Sequence, residues 1–169
     1  MIHALSTLVL WVFPVMVILA GLKDATSYTI PNWMPLGLLA GFPLAALATG
    51  LPLGAAGVHV LVFIAALVAG MAMFAARWIG GGDAKLFAAA ALWIGWPAAM
   101  TYVAVTAVAG GALAVLLLGL RSPRLKPVMP SGPAWFVRLA APGENVPYGV
   151  AIAIGALAAW PLSALAVAR

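Results

Sequence analysis

Apolar stretches of about 20 residues, the length that crosses a bilayer as a helix, alternate along the chain with short polar breaks. Ala4 to Leu22 is the first stretch, and it ends at Lys23-Asp24. No charge follows from Ala25 to Ala76, a run too long for one crossing. Thr49-Gly50-Leu51-Pro52-Leu53-Gly54 supplies the turn that divides it. The pattern predicts a second helix over about Trp33 to Thr49 and a third over about Ala56 to Ala76. Arg77 to Lys85 is a polar, glycine-rich break. Charges vanish again from Leu86 to Leu120, and Gly95-Trp96-Pro97 splits that run into a short fourth helix and a fifth ending at Arg121. A basic, proline-rich loop over 121–147 leads to a sixth stretch, Tyr148 to Ala168. The expected fold is therefore all-α and polytopic: six transmembrane helices in a single membrane-embedded domain, 1–169, with 121–147 as a loop within it.

Composition removes the alternatives. Hydrophobic residues make up 66% of the chain, charged residues 7%, and mean hydropathy is +1.18. A soluble domain carries about 25% charged residues, so this chain cannot cover itself against water. Disorder needs the opposite composition, low hydrophobicity with high charge. The absence of cysteine excludes disulfides, a thiol nucleophile and thiolate metal sites. No Lys or Arg precedes the first apolar stretch and no small-residue cleavage site follows it, so the first helix is expected to be retained.

Net charge is +5. The basic residues flank apolar stretches, which points to anchoring against anionic membrane lipid rather than to nucleic acid. Loops one, three and five hold Lys23, Arg77, Lys85, Arg121, Arg124, Lys126 and Arg138, whereas loops two and four hold none. The positive-inside rule makes the odd loops cytoplasmic and puts both termini outside, with Arg169 alone on the far side. In loop five, Ala134-Trp135-Phe136-Val137-Arg138-Leu139 reads either as a short amphipathic turn in the interface or as a plain tether.

Three acids remain: Asp24, Asp83 and Glu144. Ionisable groups at membrane depth are costly, so each invites a functional reading. Each aspartate alone also reads as an interfacial residue balancing a nearby lysine, although neighbours one or two apart on a helix do not face each other. Together they are less ordinary, because the topology puts both at the cytoplasmic edge. Two carboxylates that converge there share a proton. One then serves as general base on a water and the other as general acid, which is peptide hydrolysis without metal, thiol or serine. Asp24 precedes Thr29-Ile30-Pro31-Asn32, where proline breaks the helix. Asp83 follows Gly80-Gly81-Gly82, which reads as a place for close approach by another chain or as a flexible turn.

Other candidates carry less. His3 and His59 fall on the far side from the aspartates and form no zinc-ligand pair, so both read as packing or interface residues. Ser27, Ser131 and the remaining serines have no base on the same side. Trp33, Trp78, Trp96 and Trp135 fit an interfacial belt. Glu144 reads as a loop residue before the sixth helix, or as a site-shaping group.

These residues resemble a known family. Asp24-Ala25-Thr26-Ser27-Tyr28-Thr29-Ile30-Pro31-Asn32 is similar to the first aspartate motif of prepilin peptidases, the type IV prepilin leader peptidases. Gly80-Gly81-Gly82-Asp83-Ala84-Lys85 resembles their second, the GxGD signature of a class of aspartic peptidases. Pro147-Tyr148-Gly149 resembles the motif that opens their last span. The resemblance implies a multi-pass aspartic endopeptidase of the bacterial inner membrane that removes the basic leader from prepilin or pseudopilin precursors at the cytoplasmic face. It implies Asp24 and Asp83 as the catalytic pair. Ile30, Pro31, Asn32, Gly80, Gly81, Gly82, Lys85, Pro147, Tyr148 and Gly149 then bind substrate or shape the site. The chain lacks the cysteine-bearing cytoplasmic domain of the long bifunctional members and looks like the short form that accompanies Flp/Tad pili. Neither a methyl donor nor any other cofactor or metal is expected, and the pilus assembly machinery is a candidate partner. Two other readings stay open: a GxGD peptidase acting on another precursor, and a proton- or solute-conducting protein using the aspartates as relay groups. The nearly unbroken apolarity of the second, third, fifth and sixth helices disfavours the relay.

Overall fold

The structure, a computed structural model, describes residues 2–122, 133–141 and 143–167, with side chains from Thr7 onward. All regular structure among these residues is helical. The helices are α1 (Ile2–Ser27), α2 (Trp33–Thr49), α3 (Leu53–Ala75), α4 (Gly81–Ile94), α5 (Ala98–Leu120), α6 (Ala134–Leu139), α7 (Tyr148–Ala159) and α8 (Ala164–Val167), with a 3-10 turn at Trp160–Leu162. The part of loop five that holds Arg124, Lys126 and Ser131 lies outside the described residues, as do Arg169 and the side chain of His3.

Three segments are long and apolar enough to cross a membrane: Thr7–Ser27, Leu53–Ala75 and Ala98–Leu120. α2 and the Tyr148–Leu162 segment are apolar but shorter. α1 runs past the expected stop at Lys23-Asp24, because one charged pair in the last turns of a helix does not break its hydrogen bonds. Pro161 does break the last segment: Trp160–Leu162 tightens into the 3-10 turn before α8, so the sixth stretch is not one continuous helix.

α4 sits at the centre and touches α1, α2, α3, α5 and α7. Ala88, Ala89, Ala90 and Ala91 are all buried, and such small side chains let neighbouring helices approach closely. α4 is apolar because it is core, whereas α3 and α5 are apolar on outward faces, with Leu61, Val68, Val108 and Leu118 exposed. At the C-terminal end of α4, Phe13 stacks on Trp93 with ring centroids 5.5 Å apart, and Trp160 lies 4.7 Å from Phe13. Tyr102 stacks on Phe87 and donates its hydroxyl to the Phe87 carbonyl at 3.1 Å, fixing α5 to α4. Trp33, Trp78, Trp96 and Trp135 are exposed, whereas Trp93 and Trp160 are buried.

Candidate active site

Two helix N-termini create the polar end of the bundle. The first N–H groups of a helix have no partner within it. In an apolar surrounding they must find one, and a carboxylate suits the positive end of the helix dipole. At α7 the acceptor is Asp24 from the last turn of α1: the Gly149 N–H donates to Asp24 Oδ2 at 2.7 Å. At α4 it is Asp83 in the first turn, whose Oδ2 accepts from the Gly80 N–H at 3.1 Å. Both aspartates are buried. Asp83 Oδ1 has no hydrogen-bond partner among the described residues.

Both carboxylates line one cavity of about 280 Å³. Tyr28, Phe74, Arg77, Trp78, Ile79, Gly80, Asn145, Val146 and Tyr148 form the rest of its wall. A water occupies about 30 Å³, so the space takes a water together with a short stretch of peptide. A second cavity, mostly apolar, runs on between α3 and α5 and shares Ile79 and Tyr148 with the first.

Close packing fixes this geometry at two glycines. A Cβ on Gly149 would lie 2.8 Å from Asp24 Cβ and Oδ2, so only glycine lets α1 and α7 meet here. A Cβ on Gly82 would lie 3.2 Å from Ile30 Cβ and 3.4 Å from the Ile30 carbonyl oxygen. The Ile30-Pro31-Asn32 turn thus rests directly on the first turn of α4. Lys85 Nζ donates to Asn32 Oδ1 at 2.9 Å and ties the two segments from outside.

The residues singled out from sequence divide accordingly. Asp24, Asp83, Gly80 and Tyr148 line the shared cavity. Gly149 and Gly82 hold the frame around it, and Pro147 is buried at the start of α7. Asn32 and Lys85 stand away from the aspartates, on a separate hollow with Pro35, Leu36 and Leu39. Gly81 faces Phe74. Ser27 spends its hydroxyl on the Lys23 carbonyl at 2.7 Å, the ordinary end of a helix. His59 is buried and donates Nδ1–H to the Leu92 carbonyl at 2.7 Å, a packing role at the other end of α4. Glu144 pairs with Arg138 at 3.3 Å.

Seven wall residues escape the sequence reading of the site: Tyr28, Phe74, Arg77, Trp78, Ile79, Asn145 and Val146. Tyr28 and Arg77 have φ of 54° and 61°, the left-handed region that costs energy for residues other than glycine. Their place inside the two polar breaks was the one available signal, since φ is not legible from residue type. Burial raises the Tyr28 phenol above its ordinary value, so it keeps its proton at neutral pH.

Residues 11–115, more than half of the chain, match the sequence model of the type IV leader peptidase family. Comparison with curated proteins and with solved structures gives no match. The matched stretch holds Asp24 and Asp83, the two carboxylates of the cavity, while Gly149 lies beyond it. By that match the chain belongs to the type IV leader peptidase family, peptidases acting on leader-bearing precursors, and its apolar helices are those of a membrane protein.

Proposed function

We propose that the chain is an aspartic endopeptidase that removes the basic leader from prepilin precursors of the Flp type, with Asp24 and Asp83 as its catalytic pair. One observation carries the reading: carboxylates from α1 and α4 line a single cavity, each with one oxygen held by a backbone N–H and Asp83 Oδ1 without a partner among the described residues. One carboxylate takes a proton from a water, whose oxygen attacks the scissile carbonyl carbon. The other protonates the carbonyl oxygen. The C–N bond then breaks as the leaving amine receives a proton, and the pair returns to its starting state. No cofactor or metal takes part, so a chelator leaves cleavage unchanged.

Lys23, Arg77, Lys85, Arg121 and Arg138 surround this end of the bundle, which supports a cytoplasmic site on a six-span chain of the bacterial inner membrane. The adjoining apolar cavity supports a substrate that turns from polar to apolar beside the cleaved bond. Co-expression with a prepilin tests the reading. Asp24→Asn and Asp83→Asn keep shape but remove the ionisable proton. Each is expected to abolish processing while accumulating normally, since an amide is easier to hold in a membrane than a carboxylate. Normal processing by either well-expressed variant overturns the mechanism. An intact precursor with the unaltered chain would point instead to a different substrate.

A further inference from the structure

Arg121, at the C-terminal end of α5, spends its guanidinium on one short segment. Nε donates to the Leu139 carbonyl at 3.1 Å, Nη1 to the Glu144 carbonyl at 2.6 Å and Nη2 to the Asn145 carbonyl at 2.9 Å. An arginine that merely anchors a helix end would turn its charge to headgroups. Here the planar fork of donors grips main-chain oxygens instead, a geometry that the single ammonium of lysine cannot reproduce. No carboxylate lies within ion-pair distance of Arg121 among the described residues.

The gripped segment leads straight to the site. Asn145 and Val146 form part of the cavity wall, Tyr148 follows, and the Gly149 N–H is the donor to Asp24. Its other side is held by Arg138, which pairs with Glu144 at 3.3 Å and lies 5.0 Å over the Tyr28 ring. We propose that Arg121 is a positioning residue that straps 143–148 across the cavity and so holds the Gly149 N–H against Asp24. The inference rests on the two-aspartate reading above.

The test uses the full-length chain in a bilayer with a purified prepilin precursor. Arg121→Ala is expected to lower kcat about 100-fold, the scale of a misplaced catalytic group, with KM changed by less than about 3-fold. Arg121→Lys recovers part of kcat, and added guanidinium ion restores a further part to Arg121→Ala but nothing to Arg121→Lys. Lys23→Gln, which removes an exposed charge from the last turns of α1, leaves kcat unchanged and excludes a general loss of positive charge. Should the alanine variant fail to accumulate, a lysine variant with intermediate kcat carries the proposal and one with full kcat overturns it. A kcat for Arg121→Ala within about 3-fold of the unaltered chain, or a slow variant indifferent to guanidinium, also overturns it. Asp24→Asn in the same assay separates the two claims. If it is inactive while Arg121→Ala is fully active, only the strap falls. If it is active, the catalytic reading itself falls.

Discussion

The two ends of α4 solve one problem in opposite ways. A helix inside a membrane protein has unpaired carbonyls at its C-terminus and unpaired N–H groups at its N-terminus, and no water to satisfy them. At the C-terminal end, neutral donors close the account: His59 to the Leu92 carbonyl and Ser163 to the Trp93 carbonyl, each at 2.7 Å. The Trp93 indole donates to the Leu38 carbonyl at 2.8 Å, and Phe13, Phe42 and Trp160 pack around it. At the N-terminal end the partner is a carboxylate, Asp83, with a second carboxylate across a cavity and an oxygen left over. Neutral side chains would cap a helix there at far lower cost than buried charge. Fully partnered polar groups serve the fold; on the catalytic reading proposed above, chemistry falls to the carboxylates beside Asp83 Oδ1, which has no partner among the described residues.

The sharpest way to break this contrast is at the contact between Gly149 and Asp24. Gly149→Ala pushes a methyl into Asp24, and cleavage is expected to fall about 100-fold. Gly119→Ala, where an added Cβ meets no described residue within 4 Å, leaves the rate unchanged. Equal rates for the two would show that the close approach of α1 and α7 is irrelevant to catalysis.

At the closed end the expected loss is in stability. His59→Ala and Ser163→Ala each strand a carbonyl of α4, at about 1–3 kcal/mol, and lower the Tm of the protein in detergent. Turnover by the remaining folded fraction stays unchanged. A large fall in kcat at unchanged Tm would make the closed end part of the site. The smallest effects are expected at the rim. Glu144→Ala removes an exposed ion pair worth about 0–1 kcal/mol, and the main-chain oxygen that Arg121 holds is still present. More than half of the cleavage rate should survive, as read by the fraction of precursor processed.

Much of this was legible in the chain. α2 runs over Trp33–Thr49 as the charge-free run and its turn require, and α5 fills the interval between Trp96-Pro97 and Arg121. The motif resemblance agrees with the family match over 11–115. Lipid and protein core are equally apolar, so Leu86–Ile94 gives no sign that all of it but Phe87 is buried. Nor does hydropathy register the break at Pro161, since Trp160 and Leu162 are as apolar as their neighbours. The aspartates stand out because charge is scarce, whereas Arg121 hides among residues that orientation alone already explains. Its three carbonyl partners are main-chain atoms, which no side-chain pattern reveals.

If Asp24 and Asp83 act as one unit, as proposed, a double-mutant comparison shows it. The fraction of prepilin processed is measured for Asp24→Asn, Asp83→Asn and the pair together, at equal membrane abundance. Groups that act as base and acid in one reaction are strongly non-additive. Each single variant is expected to be inactive, and the double variant no worse. Two partial losses that multiply in the double variant, or normal processing by either single one, would contradict the proposal.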